Sequence, residues 1–247
     1  MITFSLLLAA AAALNTTAAP KAGDGFGSIS GHFMWEGEKP APKPDLPVDE
    51  KAATGCKHPA EGMDKKDDSL LIDEKGGVAN IVVTLSVDGV ERKVPTEPIV
   101  IDQMGCRFHP HVVVVPVGGT LRFANSDDTN HNIHTYPKKN DAMNKQVAAL
   151  SNLDVKYDKA EVIEVKCDVH TWMKSYAFVT DATFWATTAK DGSFKLEGVP
   201  AGDYELTWWH EDLGKGKTEK VHVEAGKDAT VEQKVGAEKK AGGGRRR

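Results

Sequence analysis

Two short stretches of the chain hold side chains of the kinds that metals select. Thr129-Asn130-His131-Asn132-Ile133-His134 offers imidazoles, and Cys167-Asp168-Val169-His170-Thr171-Trp172-Met173 offers a thiolate, an imidazole and a thioether. Two imidazoles and one cysteine sulfur with a weak methionine make the donor set of copper electron-transfer sites, and few other metals use all four. One-electron chemistry at one copper per chain is therefore expected. Cys167, His170 and Met173 follow one another at intervals of three. Such a loop turns three side chains toward one point if Cys167 ends one strand and Met173 lies near the start of the next. A loop this short cannot surround an ion alone, so the remaining nitrogen must come from a separate strand end. His131 and His134 are the candidates, and on an extended segment they are expected to face the same side.

The pair His131-Asn132 together with Cys167-x2-His170-x2-Met173 resembles the ligand segments of cupredoxins, the plastocyanin- and amicyanin-like blue copper proteins. The wider stretch 102–226 resembles the cupredoxin-domain proteins named for methylamine utilization, in which a carboxypeptidase-regulatory-like β-domain follows. That name establishes no amine-oxidation role. The resemblance implies His131 as the upstream ligand, with His134 the alternative, and Cys167, His170 and Met173 as the others. It also implies that Asn132 ties the two ligand loops together, a contact that fixes ligand orientation. His170 is then the edge that reaches the surface and passes the electron to transient redox protein partners, with Trp172 beside it. The implied molecule is a carrier and not an enzyme. Competing readings are a copper-binding carrier or storage protein, and a structural module on a cupredoxin scaffold. A multicopper oxidase would need more His-x-His clusters than His109-x-His111 supplies.

Residues 1–19, with an apolar run from Phe4 to Leu14 and then Thr17-Ala18-Ala19, read as a secretory signal. No later stretch is expected to span a membrane, so a periplasmic or secreted protein is expected. The net charge is −5, with lysines scattered among acidic residues, which argues against a nucleic-acid partner. Residues 237–247, ending Gly-Gly-Gly-Arg-Arg-Arg, read as a disordered tail. Three cysteines leave one odd thiol. With Cys167 assigned to the metal, Cys56 and Cys106 are free to close a disulfide, which an oxidising compartment permits. The alternative puts Cys106 with His109 and His111 in a second metal site.

The fold class expected is all-β; the resemblance implies a cupredoxin Greek-key sandwich over 26–182, and Asp191-Gly192-Ser193-Phe194 with Val199-Pro200-Ala201-Gly202-Asp203-Tyr204 resemble carboxypeptidase-regulatory-like domains, which implies a smaller transthyretin-like sandwich over 183–236. Strand patterns recur at 28–35, 81–87, 90–94, 98–101, 112–117, 120–125 and 161–167. The unbroken Val112 to Val115 run reads as a central strand covered on both faces. Leu121 and Phe123 alternate with Thr120, Arg122 and Ala124, as on a strand with one wetter face. Asp88-Gly89 and Gly118-Gly119 suit hairpins. Asn140 to Leu150 is the best helix candidate. Pro40 to Pro47, with four prolines in eight residues, reads as an extended linker. At about fifty residues the second unit buries only a modest core alone, so it is expected to pack on the first. Its His210-Glu211 pair reads as structural or interfacial.

Overall fold

The computed structural model describes residues 25–56 and 64–236. The expected signal at 1–19 and tail at 237–247 lie outside the described residues. All the regular elements described are strands: β1 (Phe26–Trp35), β2 (Val82–Leu85), β3 (Ile99–Met104), β4 (Arg107–His109), β5 (Val112–Pro116), β6 (Thr120–Asn125), β7 (His131–Tyr136), β8 (Asn144–Val147), β9 (Asn152–Lys156), β10 (Glu161–Lys166), β11 (Lys174–Thr180), β12 (Phe184–Thr187), β13 (Ser193–Pro200), β14 (Gly202–His210), β15 (Gly214–Val223) and β16 (Asp228–Val235). No helix among the described residues is long and apolar enough to cross a membrane.

The strands form two sandwiches. In the first, the sheet β5-β11-β10-β7-β8 faces the sheet β4-β3-β6-β9 over a core that includes Ile101, Phe108, Leu121, Phe123, Ile133 and Ile163. On β6, Leu121 and Phe123 point into this core while Thr120, Arg122 and Ala124 are half-buried, as the alternation requires. In the second sandwich, β13-β1-β16 faces β12-β2-β14-β15 over Ile29, Phe33, Val83, Leu196, Leu206 and Val223.

The division expected at residue 182 does not follow these ladders. β1 pairs with β13 and β16, and β2 pairs with β12 and β14, so both belong to the second sandwich. Their apolar residues enlarge a core that 183–236 could not complete. Gly31 of β1 shows how closely these strands approach: a Cβ there would lie 2.3 Å from the Val231 carbonyl oxygen.

Four further expectations change. Val112 to Val115 is buried on both faces, yet β5 is the edge of its sheet. Val113 and Val115 enter the first core, while Val112 and Val114 meet Val82, Trp185 and Trp209 of the second sandwich. The neighbouring sandwich thus supplies the cover that a central position would have given. Gly118-Gly119 turns the chain from one sheet to the facing one, and Asp88-Gly89 leads from one sandwich to the other, so neither makes a hairpin. Residues 90–94 are no strand. Arg92 instead donates to the Asp181 and Val117 carbonyls and leaves Val94 exposed. The helix expected at 140–150 is also absent: β8 adds to the free edge of β7, and ladder bonds outweigh a weak amphipathic pattern containing two asparagines.

Candidate metal centre

β7 and β10 are hydrogen-bonded neighbours, with Lys166 opposite His134. The start of β7 and the residue after β10 therefore meet at one end of the sheet, and this brings His131 beside Cys167. The loop to β11 then closes on itself. Met173 N donates to the His170 carbonyl at 2.8 Å, and His170 N reaches the Cys167 sulfur at 3.4 Å. His170 is thereby folded back over the thiol. Its Nδ1 lies 2.8 Å from His131 Nδ1 and 3.7 Å from Cys167 Sγ, which is 4.0 Å from His131 Nδ1. All three side chains are buried. Met173 is fully buried at the loop's end, packed in the same core.

The second nitrogen of each imidazole is occupied. His131 Nε2 donates to Asp127 Oδ2 at 2.9 Å, and His170 Nε2 donates to the Ala52 carbonyl at 2.9 Å. With carboxylate and carbonyl as acceptors, both Nε2 atoms carry protons and both Nδ1 atoms turn toward the sulfur, where a shared proton that donates to the thiolate, or a metal ion in its place, is held. Burial pushes the Cys167 thiol up, but the imidazoles of His131 and His170 and the backbone at Asn132 and His170 outweigh it and bring the pKa down to about 5. Burial likewise pushes His131 down, while Asp127 and Cys167 raise it for a net upward shift.

Two lone pairs and a thiolate facing one another repel unless a proton or cation lies among them. Bonds of about 2.0 Å to imidazole and about 2.3 Å to thiolate put trigonal nitrogen and sulfur ligands about 3.7 Å apart. The observed separations are 3.7 and 4.0 Å. The two nitrogens, 2.8 Å apart, would need to part by about 0.7 Å. The donors thus fit a first-row metal ion, and a thiolate with imidazoles suits copper.

Asn132 bridges the ligand segments: its Oδ1 accepts from Asp168 N at 2.7 Å and faces Cys167 Sγ at 3.3 Å, and its Nδ2 donates to Asn144 and Asp168. His134 is not a neighbour of this cluster. It lies three residues from His131, an odd step on a strand, so the two face opposite sides instead of the same one. His134 contacts Asp168 at 2.9 Å and stacks on Tyr136.

The expected surface pair is likewise corrected. His170 and Trp172 are both buried, because the segment before Cys56 lies over them and Trp172 Nε1 donates to the Cys106 carbonyl at 3.0 Å. Cys56 and Cys106 form a disulfide, and Cys167 is the free thiol. The alternative site of Cys106 with His109 and His111 is therefore not assembled. His109 is exposed, and His111 pairs with Asp68 and Glu211. His210, read as structural, is buried with Nδ1 accepting from Asp212 N, while Glu211 makes the interface contacts.

Asp127 is the site residue that the sequence reading passed over. It is fully buried and accepts from Gly105 N and Cys106 N, both at 2.8 Å, as well as from His131. Those two N–H groups converge because Gly105 and Cys106 both take positive φ. An acidic residue four before the histidine was the available signal.

A family model for polysaccharide lyase family 4, domain II, matches residues 154–231, less than half of the chain. No curated protein matches the chain in sequence. Among solved structures, amicyanin from Paracoccus versutus is similar at 17% identity over 40% of this chain and 97% of its own, with a TM-score of 0.32. A purple cupredoxin from Nitrosopumilus maritimus is similar at 21% identity over 30% of this chain and 81% of its own, with a TM-score of 0.27. A copper-containing nitrite reductase from Thermus scotoductus is similar at 18% identity over 39% of this chain, with a TM-score of 0.33, and the match spans 25% of the reductase.

Proposed function

We propose that this protein is an exported carrier of single electrons built around one bound copper. The observation that carries the reading is the convergence of His131 Nδ1, His170 Nδ1 and the low-pKa Cys167 sulfur, with both Nε2 atoms held elsewhere. Bound copper supplies a Cu(II)/Cu(I) couple. Cys167, His131 and His170 hold it, and the buried Met173 is the fourth, weaker donor. Asp127 and the Ala52 carbonyl keep both rings in the tautomer that offers Nδ1, and the surrounding core excludes water. Partners are redox proteins met transiently through a small interface. No chemical conversion is assigned to the chain, and the second sandwich serves as a structural module. The Cys56–Cys106 disulfide supports a periplasmic or secreted location.

A second reading, a protein that stores copper or hands it on, is favoured by one observation: His170 is covered where a partner would meet it. Voltammetry of the copper-loaded protein separates the two. The electron-carrier reading predicts a reversible one-electron couple. Tight copper binding with no reversible couple would instead favour storage.

A further inference from the structure

We infer that residues 46–56 form a strap over the His170 side of the site, and that the Cys56–Cys106 disulfide is the latch that holds it closed. The inference rests on the metal reading in taking His170 as a ligand. Its physical basis is the strap's own contacts. His170 Nε2, the nitrogen turned away from Cys167 and His131, donates to Ala52 of the strap at 2.9 Å. The same carbonyl that orients the ring therefore also covers its outer edge.

The strap adheres weakly apart from its latch. Asp49, Glu50, Lys51, Thr54 and Gly55 are exposed, and only the half-buried Leu46, Val48, Ala52 and Ala53 lean on the core. Small, half-buried aliphatic groups contribute little, since apolar stabilisation scales with the area removed from water. Among the described residues, two backbone bonds join it to its surroundings, Leu46 N to the Lys65 carbonyl and Asp128 N to the Gly55 carbonyl, and the exposed Glu50 accepts from Lys65 Nζ at 2.9 Å. Its internal turn is closed by Asp49, which accepts from Lys51 N and Ala52 N, so the strap is able to move as a unit. The anchor side is different. Cys106 is fully buried, donates its N–H to Asp127, and accepts from Trp172 through its carbonyl. Cutting the disulfide therefore frees the strap and leaves the anchor in place.

The opening reaction is thiol–disulfide exchange with a dithiol reductant. One thiolate of the dithiol attacks the sulfur of Cys56, the less buried of the two residues, and Cys106 leaves as a thiol. The second dithiol sulfur then displaces Cys56. Two electrons and two protons pass to the protein, and the dithiol becomes a disulfide. An oxidising compartment keeps the strap closed, and exposure to such a reductant uncovers the ring edge.

The test uses apoprotein, so its outcome is independent of whether copper binds. Diethyl pyrocarbonate labels accessible imidazoles, and peptide mass spectrometry reads each histidine before and after treatment with dithiothreitol. With the disulfide intact, His170 is expected to react at least about tenfold more slowly than His109 and His222. After reduction its rate rises about tenfold, while that of His131 stays low. The double variant C56S/C106S, made without any reductant, reproduces the reduced pattern. Rapid labelling of His170 with the disulfide intact overturns the inference, as does an unchanged rate after reduction. A parallel rise at His131 overturns it too, because it reports loosening of the whole site and not release of the strap.

Discussion

At the scale of single residues, the cluster was legible because its chemistry is rare and its spacing local: Cys167 and His170 sit three apart in one loop that the backbone folds back on itself. The choice between His131 and His134 was read from the resemblance, because the two were expected to face the same side; they sit three apart, so only one of them faces the cluster, and the buried one is His131. His131→Ala is accordingly expected to abolish any copper-thiolate absorption and His134→Ala to leave most of it, as visible spectra of the two loaded variants would reveal. Asp127 was passed over despite its place four before His131, because its other partners, Gly105 N and Cys106 N, come from a turn about twenty residues upstream. In Asp127→Ala, two backbone donors and His131 Nε2 lose a fully buried acceptor. An orphaned buried donor costs about 1–3 kcal/mol, and losing the partner behind a ligating histidine weakens metal binding about 10–100-fold. Denaturant unfolding and metal titration of the variant check both numbers, and unchanged values in both would deny Asp127 its positioning role.

At the scale of elements, strand patterns located β1, β2, β3, β5, β6 and β10, whereas pairing partners depended on contacts far apart in sequence. The Gly118-Gly119 turn was visible, but its crossing between facing sheets was not, since a turn dipeptide specifies backbone angles and not what the next strand pairs with. β8 formed where a helix was expected because β7 had a free edge beside it. The strap over His170 had no sequence signal beyond a polar run with Cys56 at its end. That cysteine gives a stability prediction. The disulfide closes a loop of sequence separation 50, for which chain entropy gives about 4 kcal/mol. Unfolding in urea with and without reductant should show a loss of that order, and a loss under about 1 kcal/mol would mean that the reduced chain keeps the loop ordered in its unfolded state.

At the scale of the whole molecule, two sandwiches share an apolar seam of Val82, Val112, Val114, Phe178, Trp185 and Trp209, with charged groups beside it. Glu211 accepts from Lys174 at 2.5 Å and pairs with His111, which also faces Asp68 at 3.2 Å, while Arg107 pairs with Asp68 at 2.8 Å. Burial pushes His111 down, but Asp68 and Glu211 outweigh it and raise it to about 9. A histidine with a raised pKa adds stability that is complete below its unfolded value of about 6.5 and fades as pH climbs through 9. His210 acts oppositely. Burial lowers it to about 4, so stability falls as pH drops from about 6.5 toward 4. Cys167, lowered to about 5, adds stability that grows as pH rises above 5 and so opposes the His111 limb. The His111 contribution is therefore read as a difference: the gap in urea midpoint between wild type and His111→Gln should be widest below about pH 6.5 and narrow as pH climbs through 9, and a gap that widens over that range would contradict its sign. That β1 and β2 complete the second sandwich was not legible, because strand patterns carry no label for the sheet they join. The central claim, that the start of β7 and the 167–173 loop together make a copper site, is tested most directly by titrating the apoprotein with Cu(II) while recording visible and EPR spectra. Saturation at one copper per chain with an intense thiolate charge-transfer band is the expected result, and a colourless protein that binds copper weakly would contradict it.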